Sequence, residues 1–200
     1  LPTCEKHPNK VLIDWEILEQ NPNNSLLGEV LGQRYELRRP LGKGGFGSVY
    51  FAIQRGQIRR PVAVKLLDRI STEYIELFRD EMRVMSKLRS PHIVQFLDSG
   101  SHRSNTNLLA TPYLVMEYIE GETLADYLVS RGQLSPSTVI DLLRQLLIGL
   151  SQAHDHEIIH RDIKPLNVMV HESEQGKINA VILDFGISRG LHDSTRDATR

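Results

Sequence analysis

The chain has 200 residues, of which 40% are hydrophobic and 24% charged, enough for one domain or one and a half with a buried core. Its 24 basic and 25 acidic side chains give a net charge of −1, so overall charge provides no attraction to nucleic acid or to an anionic membrane. Cys4 is the only cysteine, which excludes an internal disulfide and predicts a reducing, cytoplasmic compartment; no apolar run approaches the ~18 residues of a membrane span.

Residues 1–30 form a lead-in or linker rich in Asn and Pro, with an apolar patch between Val11 and Leu18. The patch is either a short helix that packs on the following domain or a part of a preceding module. The sequence leaves both alternatives open.

From Tyr35 to Leu67 the pattern is strand-like. It is interrupted by the glycine run Gly42-Lys43-Gly44-Gly45-Phe46-Gly47. Gly42, Gly44 and Gly47 would let a turn approach a ligand closely, with backbone N–H groups free to meet phosphate oxygens. Because strand-like residues follow the run, a dinucleotide-binding fold is disfavoured, and a plain glycine-rich hairpin is the alternative.

The Arg55–Arg60 stretch contains three arginines and no acidic residue. It is interpreted as a solvated hairpin tip, with a phosphate or partner site as the alternative.

Lys65 lies on an apolar strand, and Glu81 lies on the apolar stripe of a helix predicted from Thr72 to Leu88. Each charge is costly to bury alone. A Lys65–Glu81 ion pair that holds an anionic phosphate oxygen explains both positions. The alternative is two surface residues whose charged ends reach solvent.

Strands are next predicted at Ile93–Leu97 and Tyr113–Tyr118, with a polar loop over residues 100–111. Helices follow at Leu124–Val129 and at Thr138–His154, the second with Ser135 as N-cap and Pro136 in the first turn. This order predicts an α+β fold, in which a small strand-rich lobe precedes a helical lobe. The second helix is apolar almost all round and therefore expects cover on several sides, so the helical lobe is interpreted as incomplete and the chain as a fragment.

Polar residues with the chemistry of phosphoryl transfer follow in strict order. Asp162 can accept a proton from an attacking hydroxyl, and Lys164 can neutralise charge on the transferred group. Asn167 and Asp184 offer hard oxygen ligands that suit Mg²⁺. An ordinary polar loop is the alternative.

From Tyr35 to Arg189 this motif set resembles eukaryotic-type (Hanks-type) serine/threonine protein kinases. The resemblance implies ATP and Mg²⁺ as cofactors and a protein substrate with Ser or Thr hydroxyls. It implies an N-lobe over about 35–116, a hinge over 117–121 and a partial C-lobe over 122–200. The implied roles are catalytic for Asp162, Lys164, Asn167, Lys65 and Glu81, and metal-binding for Asn167 and Asp184.

The nucleotide site implied by the resemblance lies mainly in the N-lobe. The phosphates would be covered by Gly42, Lys43, Gly44, Gly45, Phe46, Gly47 and Ser48, and bound by Lys65. The base would be enclosed by Leu41, Val49, Ala63 and the gatekeeper Met116, and would form hydrogen bonds with the backbone of Glu117 and Ile119. Met85, Phe96, His160 and Phe185 resemble the stacked spine of the family.

Other features resemble particular members of the family. Lys164 resembles serine/threonine kinases, and Arg161 resembles kinases whose activation segment is phosphorylated, with Ser194, Thr195 and Thr199 as candidates. The stretch Asp197–Arg200 resembles bacterial members. The chain is interpreted as truncated within the activation segment, and a kinase dimer for trans-autophosphorylation is an implied partner; a membrane anchor outside this stretch stays open. A pseudokinase or truncated nucleotide-binding regulatory module is the alternative function.

Overall fold

The computed structural model describes residues 3–4, 7–44, 47–68, 70–103, 110–172 and 177–185. The chain divides into two compact units. The first comprises Leu1–Phe78 with Leu97–Tyr118, and the second comprises Arg79–Phe96 with Ile119–Arg200. Each unit has its own apolar core.

The first unit is built on a six-stranded sheet with the order β3-β4-β5-β6-β8-β7. Its elements are β1 (Thr3–Cys4), β2 (His7–Val11), α1 (Trp15–Gln20), β3 (Val30–Leu31), β4 (Tyr35–Lys43), β5 (Gly47–Gln54), β6 (Arg60–Leu67), β7 (Phe96–His102) and β8 (Thr111–Glu117). The neighbours β4, β5, β6 and β8 pair antiparallel. The strand pattern predicted from Tyr35 to Leu67 is confirmed.

The two faces of this sheet have different neighbours, because side chains alternate along a strand. Tyr50, Val64 and Val115 face one side, where they join the buried cluster that also contains Leu37 and Tyr113. The opposite face therefore carries the alternate residues, among which are the candidate ligand-binding positions of β5 and β6.

The N-terminal segment covers the clustered face of the sheet. Leu27 and Leu31 are buried within that cluster, and Ile13, Ile17 and Leu26 pack against it. The backbone N–H of Gly28 donates to the carbonyl of Leu37 on β4 (3.0 Å). The apolar patch thus includes a short helix, α1, and its neighbourhood belongs to the core of the first unit.

Glu36 on β4 is a buried carboxylate surrounded by arginines. Its side chain accepts hydrogen bonds from Arg38 and Arg59, and from Nε of Arg55 at 2.8 Å. Burial alone would raise the pKa of Glu36, but the guanidinium groups outweigh it and the pKa is lowered. The hairpin tip between β5 and β6 is exposed from Gly56 to Arg60, as predicted, and Arg55 and Arg59 attach it to Glu36 through ion pairs.

Replacing Glu36 with Gln should lower the free energy of unfolding by about 2–3 kcal/mol, because three arginines, of which Arg38 and Arg55 are partly buried, lose their counter-charge. Since the folded pKa is lowered, the stabilisation is present above the ordinary carboxyl pKa and is lost as pH falls through the folded value. Denaturant unfolding at several pH values should show a wild-type advantage that disappears in acid. Glu16→Gln on the exposed face of α1 is the matched control; an equal loss in both variants would contradict the assignment.

The second unit combines helices with a small sheet of order β11-β10-β9. Its elements are α3 (Leu124–Arg131), α4 (Pro136–Asp155), β9 (Glu122–Thr123), β10 (Val168–Glu172) and β11 (Ile178–Ile182). Helix α2 (Thr72–Met85) spans the division between the units. Both predicted C-terminal helices are confirmed, and the Ser135 hydroxyl caps α4 by accepting from the Thr138 N–H at 3.2 Å.

Helix α4 buries only part of its apolar surface. Leu142, Gly149 and Ala153 are buried, and the Gln145 side chain bonds to the backbone of Ile178 and Ala180 along β11. The outer side of the helix leaves several large apolar side chains exposed: Ile140, Leu143, Leu147 and Ile148.

The strand predicted at Ile93–Leu97 is wrong at its start, since β7 runs from Phe96 to His102. Val94 and His92 instead exchange backbone hydrogen bonds with Ile182, at 2.9 Å each, which joins this stretch to β11. The predicted polar loop lies partly on β7 and partly outside the described residues. Within the described part of the chain, no helix is long and apolar enough to cross a membrane.

Candidate active site

The glycine run forms the turn between β4 and β5. Gly42 lies opposite Val49, and Lys43 lies opposite Ser48. The N–H of Gly44 donates to the carbonyl of Gly47 at 2.8 Å, so the two chain segments stay paired up to these two residues. Gly45 and Phe46 lie outside the described residues.

Gly47 is required by the close approach of β6. A Cβ at this position would lie 2.0 Å from the carbonyl oxygen of Leu66, a distance that forces the two strands apart. Gly47→Ala should therefore lower the free energy of unfolding by about 1–3 kcal/mol. Gly42→Ala is the control for this measurement, because nothing lies within 4 Å of its added Cβ. Equal stability of the two variants in denaturant would contradict this explanation.

Lys65 lies on the sheet face that the apolar cluster does not use. Its cross-strand neighbours are Val49 and Leu114, and Ala63 faces Met116 two residues away along β6. Directly opposed residues in antiparallel strands share a face, so one face presents Val49, Ala63, Lys65 and Met116 together. Lys65 is only 6% exposed, which is unusual for a lysine and points to a specific electrostatic role.

Asp68, which sequence reasoning missed, supports the glycine hairpin from the end of β6. Its carboxylate accepts a hydrogen bond from the Ser48 hydroxyl at 2.9 Å and lies 3.6 Å from the Lys43 ammonium. It follows a strand without any motif of its own, so no sequence signal identified it. Of the remaining candidates, Leu41 is 39% exposed and Met116 is buried, while Glu117 and Ile119 are partly buried.

In the second unit, the loop before β10 places two candidate residues, Lys164 and Asn167, around the carboxylate of a third, Asp162. Asp162 Oδ2 accepts hydrogen bonds from Lys164 Nζ at 2.7 Å and from Asn167 Nδ2 at 3.0 Å. Asn167 Nδ2 also donates to the backbone carbonyl of Asp162 at 2.9 Å. A single turn of 3-10 helix, Pro165–Asn167, brings Asn167 back toward Asp162. The Asp162 carboxylate is therefore held in a defined orientation.

His160 anchors this loop from below. The ring is 2% exposed, Nδ1 accepts from the N–H of Asp162 at 3.3 Å, and Nε2 lies 2.8 Å from the carbonyl oxygen of Leu183. Burial lowers the pKa of His160, although the charges of Asp162 and Asp184 oppose that shift. These contacts fit a neutral ring that carries its proton on Nε2 and donates it to Leu183. The Phe185 ring packs 4.7 Å away, centroid to centroid.

Asp184 is placed beside Asn167 through its neighbour Leu183. The N–H of Leu183 donates to the backbone carbonyl of Asn167 at 2.8 Å, and the Leu183 carbonyl contacts His160 Nε2. Because the Asn167 amide nitrogen is directed at Asp162, its side-chain oxygen is directed away and can serve as a metal ligand. Among the described residues, no group of three His, Cys, Asp or Glu side chains could hold a metal. An amide oxygen and a carboxylate are hard oxygen donors of the kind that suits Mg²⁺.

The structure thus brings Asp162, Lys164 and Asn167 into direct contact, and Asp184 next to them. Glu81 on α2 is buried, at 8% exposure, and its pairing with Lys65 stays a prediction. Of the spine candidates, Met85, His160 and Phe185 are buried. Ser194, Thr195 and Thr199 lie outside the described residues.

Comparison with known proteins is consistent with this geometry. The protein kinase domain family matches residues 35–200. The chain belongs to the protein kinase family. The kinase domain match includes the glycine hairpin, Lys65, the Asp162 loop and Asp184, and the expected family is confirmed.

Named bacterial kinases are among the relatives. Serine/threonine-protein kinase PrkC of Bacillus subtilis is 35% identical over 85% of this chain and 25% of its own length. Serine/threonine-protein kinase pkn2 of Myxococcus xanthus is 39% identical over 80% of this chain and 19% of its own length. Serine/threonine-protein kinase PknB of Mycobacterium tuberculosis is 36% identical over 85% of this chain and 26% of its own length. The chain therefore spans about a quarter or less of these relatives.

A solved kinase structure has the same fold. The crystal structure of Rad53 1–466 in complex with AMP-PNP superimposes with a TM-score of 0.62 and 27% sequence identity, over 77% of this chain and 38% of that one. The predicted α+β protein-kinase-like fold, with a strand-rich N-lobe and a helical C-lobe, is confirmed.

Proposed function

We propose that this chain is part of an ATP-dependent protein kinase that transfers the γ-phosphate to serine or threonine hydroxyls of protein substrates. The observation that carries the proposal is the Asp162 carboxylate, held by Lys164 and Asn167 in a chain that belongs to the kinase family. The serine/threonine-protein kinases among its relatives support the choice of hydroxyl. The kinase domain is proposed to begin near Tyr35, with the hinge at residues 117–121.

Asp162 is the proposed catalytic base. It would orient the substrate hydroxyl and accept its proton as the oxygen attacks the γ-phosphorus, with ADP as the leaving group. Lys164, 2.7 Å from Asp162 Oδ2, would neutralise charge on the transferred phosphoryl group. Positioning of the reactants supplies much of the rate in this chemistry.

Asn167 and Asp184 would hold Mg²⁺. Bound there, the ion would neutralise the negative charge of the triphosphate and stabilise the charge that develops during transfer. The chain would contribute two ligands, the side-chain amide oxygen of Asn167 and the carboxylate of Asp184. The Leu183 N–H donates to the backbone carbonyl of Asn167, and this bond keeps both ligands at a fixed position relative to Asp162.

ATP would bind mainly through the first unit. Lys65 would bind the α- and β-phosphates with Glu81 as its partner, and the hairpin from Gly42 to Ser48 would cover them. Leu41, Val49, Ala63 and Met116 would enclose the base, and the backbone of Glu117 and Ile119 would hydrogen-bond to it. The shared sheet face of Val49, Ala63, Lys65 and Met116 supports this assignment.

Incubation of the full-length protein with radiolabelled ATP, Mg²⁺ and a generic acceptor protein tests the proposal. We expect label in phosphoserine and phosphothreonine, and a rise in melting temperature with ATP and Mg²⁺. Transfer should be lost when EDTA removes the metal, because Asn167 is neutral and Asp184 is negatively charged, so neither can neutralise the triphosphate. A rise in melting temperature without any transfer would support the regulatory-module alternative instead. That alternative is not favoured here, because Lys65, Asp162, Asn167 and Asp184 are all retained.

A further inference from the structure

Residues 10–31 lie outside the region that matches the kinase family, which begins at residue 35. They nevertheless form part of the core of the first unit, where Leu27 and Leu31 are buried against the sheet. The segment is also tied to β4, because Arg38 Nη1 donates to the carbonyl of Leu12 at 2.9 Å. We call residues 10–31 the strap.

Asn24 is the strap residue that reaches the strand following the glycine run. Its Oδ1 accepts a hydrogen bond from the Tyr50 hydroxyl at 3.2 Å and another from the N–H of Leu26 at 3.2 Å. Backbone bonds from Asn24 to Asn21 and from Leu27 to Asn24 shape the turn around it. Asn24 is therefore held by its own turn while it holds Tyr50.

Tyr50 transmits this contact to the glycine hairpin. It is 4% exposed and lies on β5 opposite both Pro40 and Val64. Its neighbour Val49 points to the other face of the sheet, which carries Lys65. A shift of Tyr50 therefore moves β5 and, with it, the glycine hairpin, which lies at the N-terminal end of β5.

A cavity of about 610 Å³ separates the strap from the hairpin. Residues 21–26 form one wall, and Pro40, Gly42, Lys43 and Ser48 contribute to the other. Asn24 and Tyr50 both line this cavity, so their hydrogen bond links the two walls. Because the glycine-rich turn has high intrinsic backbone freedom, such a link limits how far it can move.

We propose that the strap positions the glycine hairpin, with Asn24 as a positioning residue that acts through Tyr50. Restraining the hairpin before nucleotide arrives lowers the ordering cost of binding. This consequence for nucleotide rests on the proposed function, whereas the restraint itself does not. The strap is thus a part of the ATP-binding apparatus that precedes the family domain in sequence.

Hydrogen exchange of the nucleotide-free full-length protein tests the restraint. Amides of residues 41–50 should exchange faster in Asn24→Ala and Tyr50→Phe than in the wild type, and Asn24→Asp, which keeps the acceptor oxygen, should restore protection. Asn23→Ala is the matched control, since Asn23 lines the same cavity but is exposed. Unchanged exchange in Asn24→Ala, or an equal acceleration in the central strands β6 and β8, would overturn the proposal.

Steady-state kinetics test the consequence for nucleotide. Asn24→Ala should raise KM for ATP by about three- to tenfold, the effect of one hydrogen bond, with kcat nearly unchanged. Addition of Tyr50→Phe should cause little further change, because both variants remove the same bond. An unchanged KM, or additive effects, would overturn the role of Asn24. A wild-type protein that binds no ATP would instead contradict the proposed function, and hydrogen exchange would then decide the restraint alone.

Discussion

Asp162→Asn in the full-length protein is expected to lower kcat for phosphoryl transfer by about 10²–10⁴-fold, the range for loss of a general base. The amide can still accept hydrogen bonds from Lys164 and Asn167, which contact Asp162 Oδ2 in the wild type, so the loop should keep its shape. What is lost is the basicity of the carboxylate. The affinity for ATP, measured by titration, should stay close to that of the wild type, because the carboxylate acts in the transfer step.

The matched control for this change is Asp141→Asn, an exposed residue on α4. It makes the same chemical substitution in the second unit without touching the loop. Its kcat should equal that of the wild type. Full activity in Asp162→Asn, or an equal loss in both variants, would disprove the role assigned to Asp162.

Lys65→Met is expected to lower kcat/KM for ATP by about 10²–10³-fold, the range for removal of one preorganised charged group, here the ammonium proposed to bind the α- and β-phosphates. The methionine has a similar length but no charge. Lys65 is only 6% exposed and Glu81, its proposed partner, is buried as well, so the variant leaves a buried carboxylate without its counter-charge and should unfold at a lower denaturant concentration than the wild type. A lower kcat/KM at a temperature at which the variant is still folded would separate loss of nucleotide binding from loss of stability.

Lys87→Met serves as the control, because Lys87 is exposed just beyond α2. It should change neither kcat/KM nor stability. Wild-type nucleotide affinity in Lys65→Met would contradict the role of Lys65 in phosphate binding. A large loss of stability in that variant would show that the ammonium supports the fold.

Local signals in the sequence predicted many of the elements correctly. Ser135 and Pro136 indicated the start of α4, and the structure shows the Ser135 hydroxyl capping that helix. The Ile93–Leu97 strand was misplaced because an apolar run in the sequence does not identify the chain segment with which its backbone will pair. Val94 bonds to Ile182, far along the chain, and such pairing depends on tertiary contacts.

The candidate site was predictable in its residues but not in its geometry. Asp162 and Asn167 are five residues apart, a spacing that places two side chains on the same face of neither a helix nor a strand. They meet because the loop turns at Pro165–Asn167. Asp68 and the arginines around Glu36 carried no motif, and the strap offered only an apolar patch that fitted two different arrangements.

The exposed apolar side of α4 should affect how the purified polypeptide behaves in solution. Ile140, Leu143 and Leu147 expose between half and two thirds of their surface, one helical turn apart from each other along the same stripe. Exposed apolar surfaces of this kind promote self-association at high protein concentration and bind amphiphilic dyes. Mild detergent or replacement of Leu147 by a charged residue should keep the purified polypeptide dispersed without disturbing the loop that carries Asp162.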